Sequence, residues 1–414
     1  MIFAGRGLII GSGVSGRGAA YALDKLGVAS TVTATEFLPP NMSGYDFAIV
    51  SPGVKHTHPI YKYARIHDLP VFGEIGLAAT VNTKPVIGVT GTNGKTTTVE
   101  MLGSIYAAAG TKAVVCGNIG RSFAAAAADG GYDRAVVELS SFQLLQSSPL
   151  KTHIACITNI AEDHLDYHGS MLEYRHAKLR IADRQTKDDY LIVPTKFNLV
   201  GMSGNPTLLY NGKDCYEKEG KLYVMGAPIM RTCELAAVGR HNVENALNAA
   251  LAAYVDGVKP EAIAEGLAKF KPDSHRISLV GEYDGTAFYN DSKGTNIAAT
   301  LAAVDCMKGS VALIVGGSDK GYDYDNLFRG LPGNVRAVLV VGANCAKILD
   351  CAARMGYNRI VPCMDLSEAV SVATAGGFDN VLFSPASASF DRYKNYKERG
   401  EAFEREVKKL FGSV

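Results

Sequence analysis

The stretch Pro85-Val86-Ile87-Gly88-Val89-Thr90-Gly91-Thr92-Asn93-Gly94-Lys95-Thr96-Thr97-Thr98 limits what this chain can fold into more than any other. Its first half is a run of apolar, mostly β-branched residues, the composition of a strand buried on both faces of a parallel sheet. Gly91 and Gly94 then allow a tight turn with inward-pointing N–H groups, and Val99 to Gly103 continues as a helix. A Gly-rich loop between a strand and a helix N-terminus is a phosphate cradle. Gly91, Thr92, Asn93, Gly94, Lys95, Thr96 and Thr97 are therefore the candidate nucleotide-phosphate residues. Lys95 is placed to reach the outer phosphates and the Thr96 hydroxyl to hold magnesium. The common spacing of such loops would put a glycine where Val89 stands, so the loop here reads T-G-T-N-G-K-T-T. A plain turn with a solvated lysine does not account for strand, loop, Lys-Thr and helix in that order.

At 414 residues the chain exceeds one ordinary domain, and two or three are expected. A formal net charge of +1 gives no electrostatic basis for binding nucleic acid or an anionic membrane. No apolar run is long enough to span a bilayer, and the first residues lack the layout of a signal peptide. The eight cysteines are scattered singly, without a C-x-x-C pair, as expected for reduced, mostly buried thiols of a cytoplasmic protein. A cytoplasmic monomer acting on small molecules is expected.

Read in order, Leu8-Ile9-Ile10 is a strand entering the turn Gly11-Ser12-Gly13-Val14-Ser15-Gly16, with a helix from Arg17 to Leu26. Gly27 closes that helix and Ser30 to Ala34 is the second strand, the first half of a Rossmann-like unit. Ala34 stands where a ribose-binding acid is required, with Glu36 two residues on, so a phosphate-bearing ligand other than a dinucleotide is indicated. Asn82-Thr83-Lys84-Pro85 reads as a linker. Beyond the phosphate loop, strands and helices alternate, and polar groups gather after successive strands, at Asn118, Glu138-Leu139-Ser140 and Glu162-Asp163-His164. They mark the carboxyl edge of a parallel sheet, where ligands bind. A helix from Tyr174 to Ala182 carries Lys178, which periodicity alone assigns to a solvated face. Tyr190 to Pro228 reads as an antiparallel patch, and Gly239 begins a long Ala-rich helix through Asn242 and Asn245. A third domain opens near Asp273, with further strands at 288–290, 311–315, 338–341 and 380–383. The fold class is α/β in three domains: 1–82 Rossmann-like, 83–273 a central parallel-sheet ATPase-like domain, and 274–414 Rossmann-like.

The motifs T-G-T-N-G-K-T-T, E-L-S-S-F-Q-L, N-I-A-E-D-H-L-D, G-R-H-N-V-E-N-A-L-N, H-R, N-D-S-K-G-T-N, G-G-S-D-K-G and S-P-A-S-A-S-F-D-R-Y-K-N-Y-K-E-R-G occur in that order from residue 88 to 403. As a set they resemble the Mur ligase family. The resemblance implies ATP-dependent, ADP-forming amide synthesis through an acyl phosphate. The closing motif resembles the branch that adds D-glutamate to UDP-N-acetylmuramoyl-L-alanine. By resemblance, Lys95 holds phosphates, Thr96 and Glu138 bind one magnesium, and His164 binds a second. Lys178 matches the family's carbamylated lysine, beside the metal. Asn242, Asn245, His275, Arg276 and Asp291 resemble nucleotide contacts. Ser15, Thr35, Gly53, Asn118 and Ser140 resemble acyl-substrate contacts, and Lys293, Thr295, Lys320, Ser389, Phe390 and Tyr396 the incoming amino acid's pocket.

Two departures lie in the first domain. The segment from Pro40 to Ser51 is short, and Ala34 replaces the family's uracil-side acid. They leave open an archaeal relative that activates a propionate of a nickel tetrapyrrole to close a ring. A hinge is expected at Lys271-Pro272-Asp273-Ser274, where Pro272 ends a helical pattern.

Overall fold

A computed structural model describes residues 3–237, 239–271, 275–410 and 412. The expected hinge at Pro272, Asp273 and Ser274, and with it the 273/274 boundary, lies outside the described residues. Among the described residues the strands form three sheets. The first contains β1 (Arg6–Ile10), β2 (Ala29–Thr33), β3 (Phe47–Val50) and β4 (Val71–Gly73), all parallel, in the order β2-β1-β3-β4. The second is built from β5 (Val86–Thr90), β6 (Ala113–Gly117), β7 (Arg134–Glu138), β8 (Ile154–Ile157), β9 (Tyr190–Pro194), β10 (Thr207–Asn211), β11 (Cys215–Lys218), β12 (Lys221–Val224) and β13 (Ala227–Arg231). Its order is β13-β12-β11-β10-β9-β8-β5-β7-β6. The third holds β14 (Ser278–Tyr283), β15 (Thr286–Asn290), β16 (Val311–Val315), β17 (Val335–Val340), β18 (Ile360–Pro362) and β19 (Asn380–Phe383), in the order β14-β15-β19-β16-β17-β18.

The chain forms two compact units, residues 1–236 with 242–270, and residues 237–241 with 271–414. In the first unit, β5 lies between β7 and β8 and every one of its residues is buried, which is what its apolar run requires. The first and second sheets share one core: Ile9, Ala22 and Leu23 join a cluster with Phe123, Val137 and Ile157. Gly18 permits this. A Cβ there would lie 1.7 Å from Ser122 Oγ, so only a bare backbone lets the helix Val14–Lys25 meet the chain entering the helix Phe123–Asp129.

One local expectation needs correction, and one hairpin was not foreseen. The segment from Tyr190 is not uniformly antiparallel: β9 and β10 extend the central sheet in parallel, and antiparallel pairing is confined to β11, β12 and β13. The connection from Pro194 to Thr207 is long enough for a parallel crossover, which a hairpin turn is not. In the second unit, an unanticipated hairpin places β14 antiparallel to β15. Its turn residues Asp284 and Gly285 have φ of 48° and 78°, the conformation Asp-Gly favours between twisted strands. No helix among the described residues is long and apolar enough to cross a membrane.

Candidate active site

The phosphate loop leaves the carboxyl end of β5 and enters the helix Lys95–Ala108. Gly91 has φ of 144°, and a Cβ there would lie 1.9 Å from Thr158 Oγ1. Gly94 has φ of 83°, and its Cβ would lie 2.2 Å from Asn245 Oδ1. Both positions therefore exclude side chains by conformation and by space. The loop is pinned to the segment after β8. Asn159 Oδ1 accepts from the Asn93 amide at 3.0 Å, while Thr158 Oγ1 and Asn159 Nδ2 donate to the Asn93 carbonyl at 2.6 and 3.1 Å. The Thr92 hydroxyl accepts from the Ala161 amide at 3.0 Å and lies 3.2 Å from the Tyr174 hydroxyl. Lys95 Nζ donates to the carbonyls of Gly91 and Thr92, both at 2.8 Å. Thr96 and Thr97 are buried in the first helical turn, and Thr97 Oγ1 has no hydrogen-bond partner.

Glu138 ends β7, opposite Val89 in the adjacent strand β5. Its side chain is buried. Oε1 accepts from Asn118 Nδ2 at 2.8 Å, and Oε2 has no partner. A buried carboxylate oxygen without a partner is costly unless a cation completes it. With Thr96 and Glu138 supplying oxygen donors, this corner of the loop suits magnesium.

Lys178 corrects the expectation drawn from periodicity: it is only 1% exposed. Its Nζ donates to Gly91 O at 2.7 Å and lies 4.5 Å from the centroid of the Tyr174 ring. Burial, followed by the nearby Lys95 charge, holds this amine well below the usual lysine range, while Asp163 and Glu138 pull the other way. The helical pattern misleads because the helix Met171–Leu179 turns this face onto the phosphate loop, a tertiary fact.

His164 adopts the left-handed conformation, φ 55°, at the start of the short helix Leu165–His168. Its Nε2 is 3.6 Å from Asp163 Oδ2, and its ring meets Phe142 edge-on at 4.9 Å. Thr158, Asn159 and Tyr174 are positioning residues that sequence reading did not single out. The signal for Thr158 and Asn159 was their place directly after β8, whereas Tyr174 acts from the helix Met171–Leu179. Ser140 caps the helix Ser141–Leu144 through a reciprocal box with Gln143, which gives its hydroxyl a structural task. Asn242 and Asn245 are joined at 3.2 Å, and Asn245 borders Gly94.

At the edge of the first sheet, Gly11 has φ of 108°, and a Cβ there would lie 2.3 Å from Ser51 Oγ. A Cβ on Gly16 would lie 1.7 Å from Gly11 O. Ser15 and Thr35 are half-buried beside this tight loop, and Gly53 is exposed after β3.

In the second unit Arg399 is the organising residue, and it was missed. It is 2% exposed and donates to Ser292 O at 2.8 Å, Ser292 Oγ at 3.1 Å, Ser387 O at 3.0 Å and Ala388 O at 2.8 Å. It thereby ties the N-D-S-K-G and S-P-A-S-A-S loops to the C-terminal helix Tyr396–Leu410. Burial lowers its guanidinium to about 10. Asp291 accepts from Ser384 Oγ at 2.7 Å; burial pushes its carboxyl up to about 7, with Ser384 and Arg276 opposing. Lys293 Nζ lies 5.2 Å from the centroid of the Tyr396 ring. Thr295 and Lys320 are half-buried, with Lys320 Nζ 5.6 Å from the centroid of the Tyr322 ring; Ser389 is buried and Phe390 is 75% exposed. Arg276 is half-buried, and its Nε has no hydrogen-bond partner. The His275 ring is buried, with Nδ1 3.0 Å from Asn290 Nδ2 and 3.8 Å from Glu404 Oε1. Within the unit its side chain therefore serves packing against the C-terminal helix.

The Mur ligase middle domain family model matches residues 89–253. The chain is 38% identical over 391 residues to the UDP-N-acetylmuramoylalanine--D-glutamate ligase of Caldanaerobacter subterraneus subsp. tengcongensis, covering 91% of this chain and 86% of that protein. To the Streptococcus suis protein of the same name it is 35% identical over 433 residues, covering 96% of each. Among solved structures, a pseudomurein peptide ligase type C from Methanothermus fervidus aligns with a TM-score of 0.64 at 18% identity, covering 98% of this chain and 100% of that one.

Proposed function

This chain belongs to the Mur ligase family, and from that premise we propose that it joins D-glutamate to UDP-N-acetylmuramoyl-L-alanine in an ATP-dependent, ADP-forming reaction of peptidoglycan precursor synthesis. The relatives named for that reaction span nearly the whole chain, which favours it over the nickel-tetrapyrrole alternative. We place the reaction in the cytoplasm, carried out by a single chain, and we keep the division of labour of 1–82 for the acyl substrate, 83–273 for ATP and 274–414 for the amino acid.

The observation that carries the reading is the gathering of three groups around one phosphate loop: Lys95, the partnerless oxygen of Glu138, and the buried amine of Lys178. Phosphoryl transfer needs positioning and charge neutralisation more than covalent help from the protein. The substrate carboxylate attacks the terminal phosphorus of ATP and ADP departs. The amine of D-glutamate then attacks the acyl carbon and phosphate departs. Lys95 exchanges its two loop carbonyls for phosphate oxygens and offsets their charge. Magnesium, held by Thr96 and Glu138 with His164 serving a second ion, would supply charge neutralisation of the phosphates. Lys178, whose buried amine is held well below the usual lysine range, is suited to add carbon dioxide through the neutral form of Nζ with loss of one proton. That would convert the buried amine into a carbamate beside the loop. In the second unit, Lys293, Thr295, Lys320, Ser389, Phe390 and Tyr396 are our candidates for the amino acid. The test is phosphate release from ATP with UDP-N-acetylmuramoyl-L-alanine and D-glutamate, each omitted in turn. Release is expected only with both, and its absence from folded protein would reject the proposal.

A further inference from the structure

Three elements of the first unit deliver candidate nucleotide and metal groups, and one carboxylate ties together their opposite ends. The helix Lys95–Ala108 starts at the phosphate loop, β7 ends in Glu138, and the helix Arg240–Val255 carries Asn242 and Asn245 near its start. At the far end of each lies a member of one buried cluster. The Tyr106 hydroxyl donates to Asp256 Oδ2 at 2.8 Å, and Arg134 Nε donates to Asp256 Oδ1 and Oδ2 at 3.1 and 2.8 Å. Asp256 continues the last turn of its helix, its amide donating to Ala252 O at 3.2 Å. Tyr106 is fully buried, and the Asp256 side chain is 4% exposed. Burial, followed by the Asp256 charge, pushes the Tyr106 hydroxyl above the ordinary tyrosine range, so it stays a donor. The two helices also meet at their starts, where Gly94 lies against Asn245 Oδ1. The rise from Gly94 to Tyr106 and that from Asn245 to Asp256 are each about 17 Å, at about 1.5 Å per residue. The helices therefore run in the same direction and are joined at both ends.

A buried ion pair adds little net stability, because desolvation offsets its attraction. The phosphate-loop helix also has a separate anchor. Ser104 Oγ donates to Gly266 O at 2.7 Å, and a Cβ on Gly266 would lie 2.4 Å from Ile105 Cα, so the helix Pro260–Lys269 sits directly on it. Asp256 adds the join from that helix to β7 and to the end of the helix Arg240–Val255. From this we infer that Asp256 is a positioning residue for ATP: it holds Asn242 and Asn245 at a fixed distance from Lys95, Thr96 and Glu138. The inference rests on the reading of the chain as an ATP-dependent ligase and deepens it. A ligand that spans both sets of contacts gains from having their separation preset, because the second set then engages intramolecularly. A ligand that touches only the phosphate loop gains nothing from it.

The test is calorimetric titration of the full chain with ATP and, separately, with inorganic tripolyphosphate, which reaches the phosphate loop but not the adenine side, both with magnesium. Asp256→Ala is expected to weaken ATP binding about tenfold and tripolyphosphate binding by less than about twofold. Tyr106→Phe should reproduce part of the ATP loss, and Asp256→Asn, which keeps an acceptor for Tyr106, should recover part of it. Because Asp256→Ala leaves the Arg134 charge without this partner, thermal unfolding accompanies each titration. Arg134→Leu combined with Asp256→Leu removes both charges at once, and it carries the test if Asp256→Ala does not fold. That double variant is expected to unfold no earlier than wild type and still to bind ATP about tenfold more weakly. ATP affinity within about twofold of wild type in either variant overturns the inference, as does an equal loss for tripolyphosphate. A double variant less stable than wild type makes the cluster structural and overturns it as well. Wild-type protein that binds ATP but releases no phosphate with the proposed substrates overturns the functional reading alone, whereas wild-type protein that binds no ATP overturns both.

Discussion

Replacing Lys178 by methionine should make the protein more stable and inactive. The side chain is 1% exposed and its amine is held well below the ordinary lysine range by burial and by Lys95. Removing the amine forfeits one hydrogen bond, to Gly91 O at 2.7 Å, a contribution of about 1 kcal/mol. That carbonyl keeps Lys95 Nζ at 2.8 Å, so no acceptor is orphaned. Against this stands relief of the cost of burying an amine, and replacing buried charge by well-fitting apolar groups typically gains about 1–4 kcal/mol. The expected net effect at neutral pH is a stabilisation of about 0–3 kcal/mol. Its pH dependence has a definite sign. Between the depressed folded value and the ordinary lysine value of about 10.4, the unfolded chain holds more protons than the folded one. Wild-type stability therefore rises with pH across that interval, and the advantage of Lys178→Met shrinks by up to about 1.4 kcal/mol per pH unit. Below the depressed folded value the advantage is full and constant. Turnover should fall at least about a hundredfold, the scale of a lost electrostatic contribution at a reacting phosphate. The assays are urea unfolding of both proteins in bicarbonate-free buffer at several pH values, and phosphate release with added bicarbonate. A destabilised variant, a stability gap independent of pH, or retained turnover would each refute the reasoning.

Lys95→Ala should remain folded and lose turnover by at least about a hundredfold in the phosphate-release assay, because the loop keeps its anchors at Thr158, Asn159 and Ala161. Near-normal turnover would remove Lys95 from the phosphate site. Gly94→Ala should cost about 2–3 kcal/mol in urea unfolding, since φ of 83° is strained for alanine and the new methyl would lie 2.2 Å from Asn245 Oδ1; a loss below about 0.5 kcal/mol would mean that the loop relaxes freely. Arg399→Met should destabilise the second unit by about 3–5 kcal/mol, seen as an earlier transition in thermal unfolding, because it leaves the carbonyls of Ser292, Ser387 and Ala388 without their guanidinium donor. An unshifted transition would count against that role.

The sequence by itself determined the features that depend on local order along the chain. The β-branched run of β5, the two glycines and the Lys-Thr pair define a phosphate loop, because a strand, a turn with positive φ and a helix start are consecutive requirements. The same holds for the Gly-rich turn before the helix Val14–Lys25 and for the carboxyl-edge placement of Asn118 and Glu138. What tertiary structure decided was the environment of each side chain. Periodicity put Lys178 in water, whereas packing puts it against Gly91 O, since no helical pattern records which neighbour covers a polar face. Arg399 passes unremarked within its motif, and by resemblance His275 reads as a nucleotide contact. Packing makes one the tie between three segments and the other a buried partner of Asn290. The parallel course of β9 and β10 depended on a crossover whose direction the intervening loop does not encode. Glu138 shows the division most plainly. Its place at the end of a strand is written in the chain, but the partnerless buried oxygen that calls for a cation exists only once β5 and β7 lie side by side.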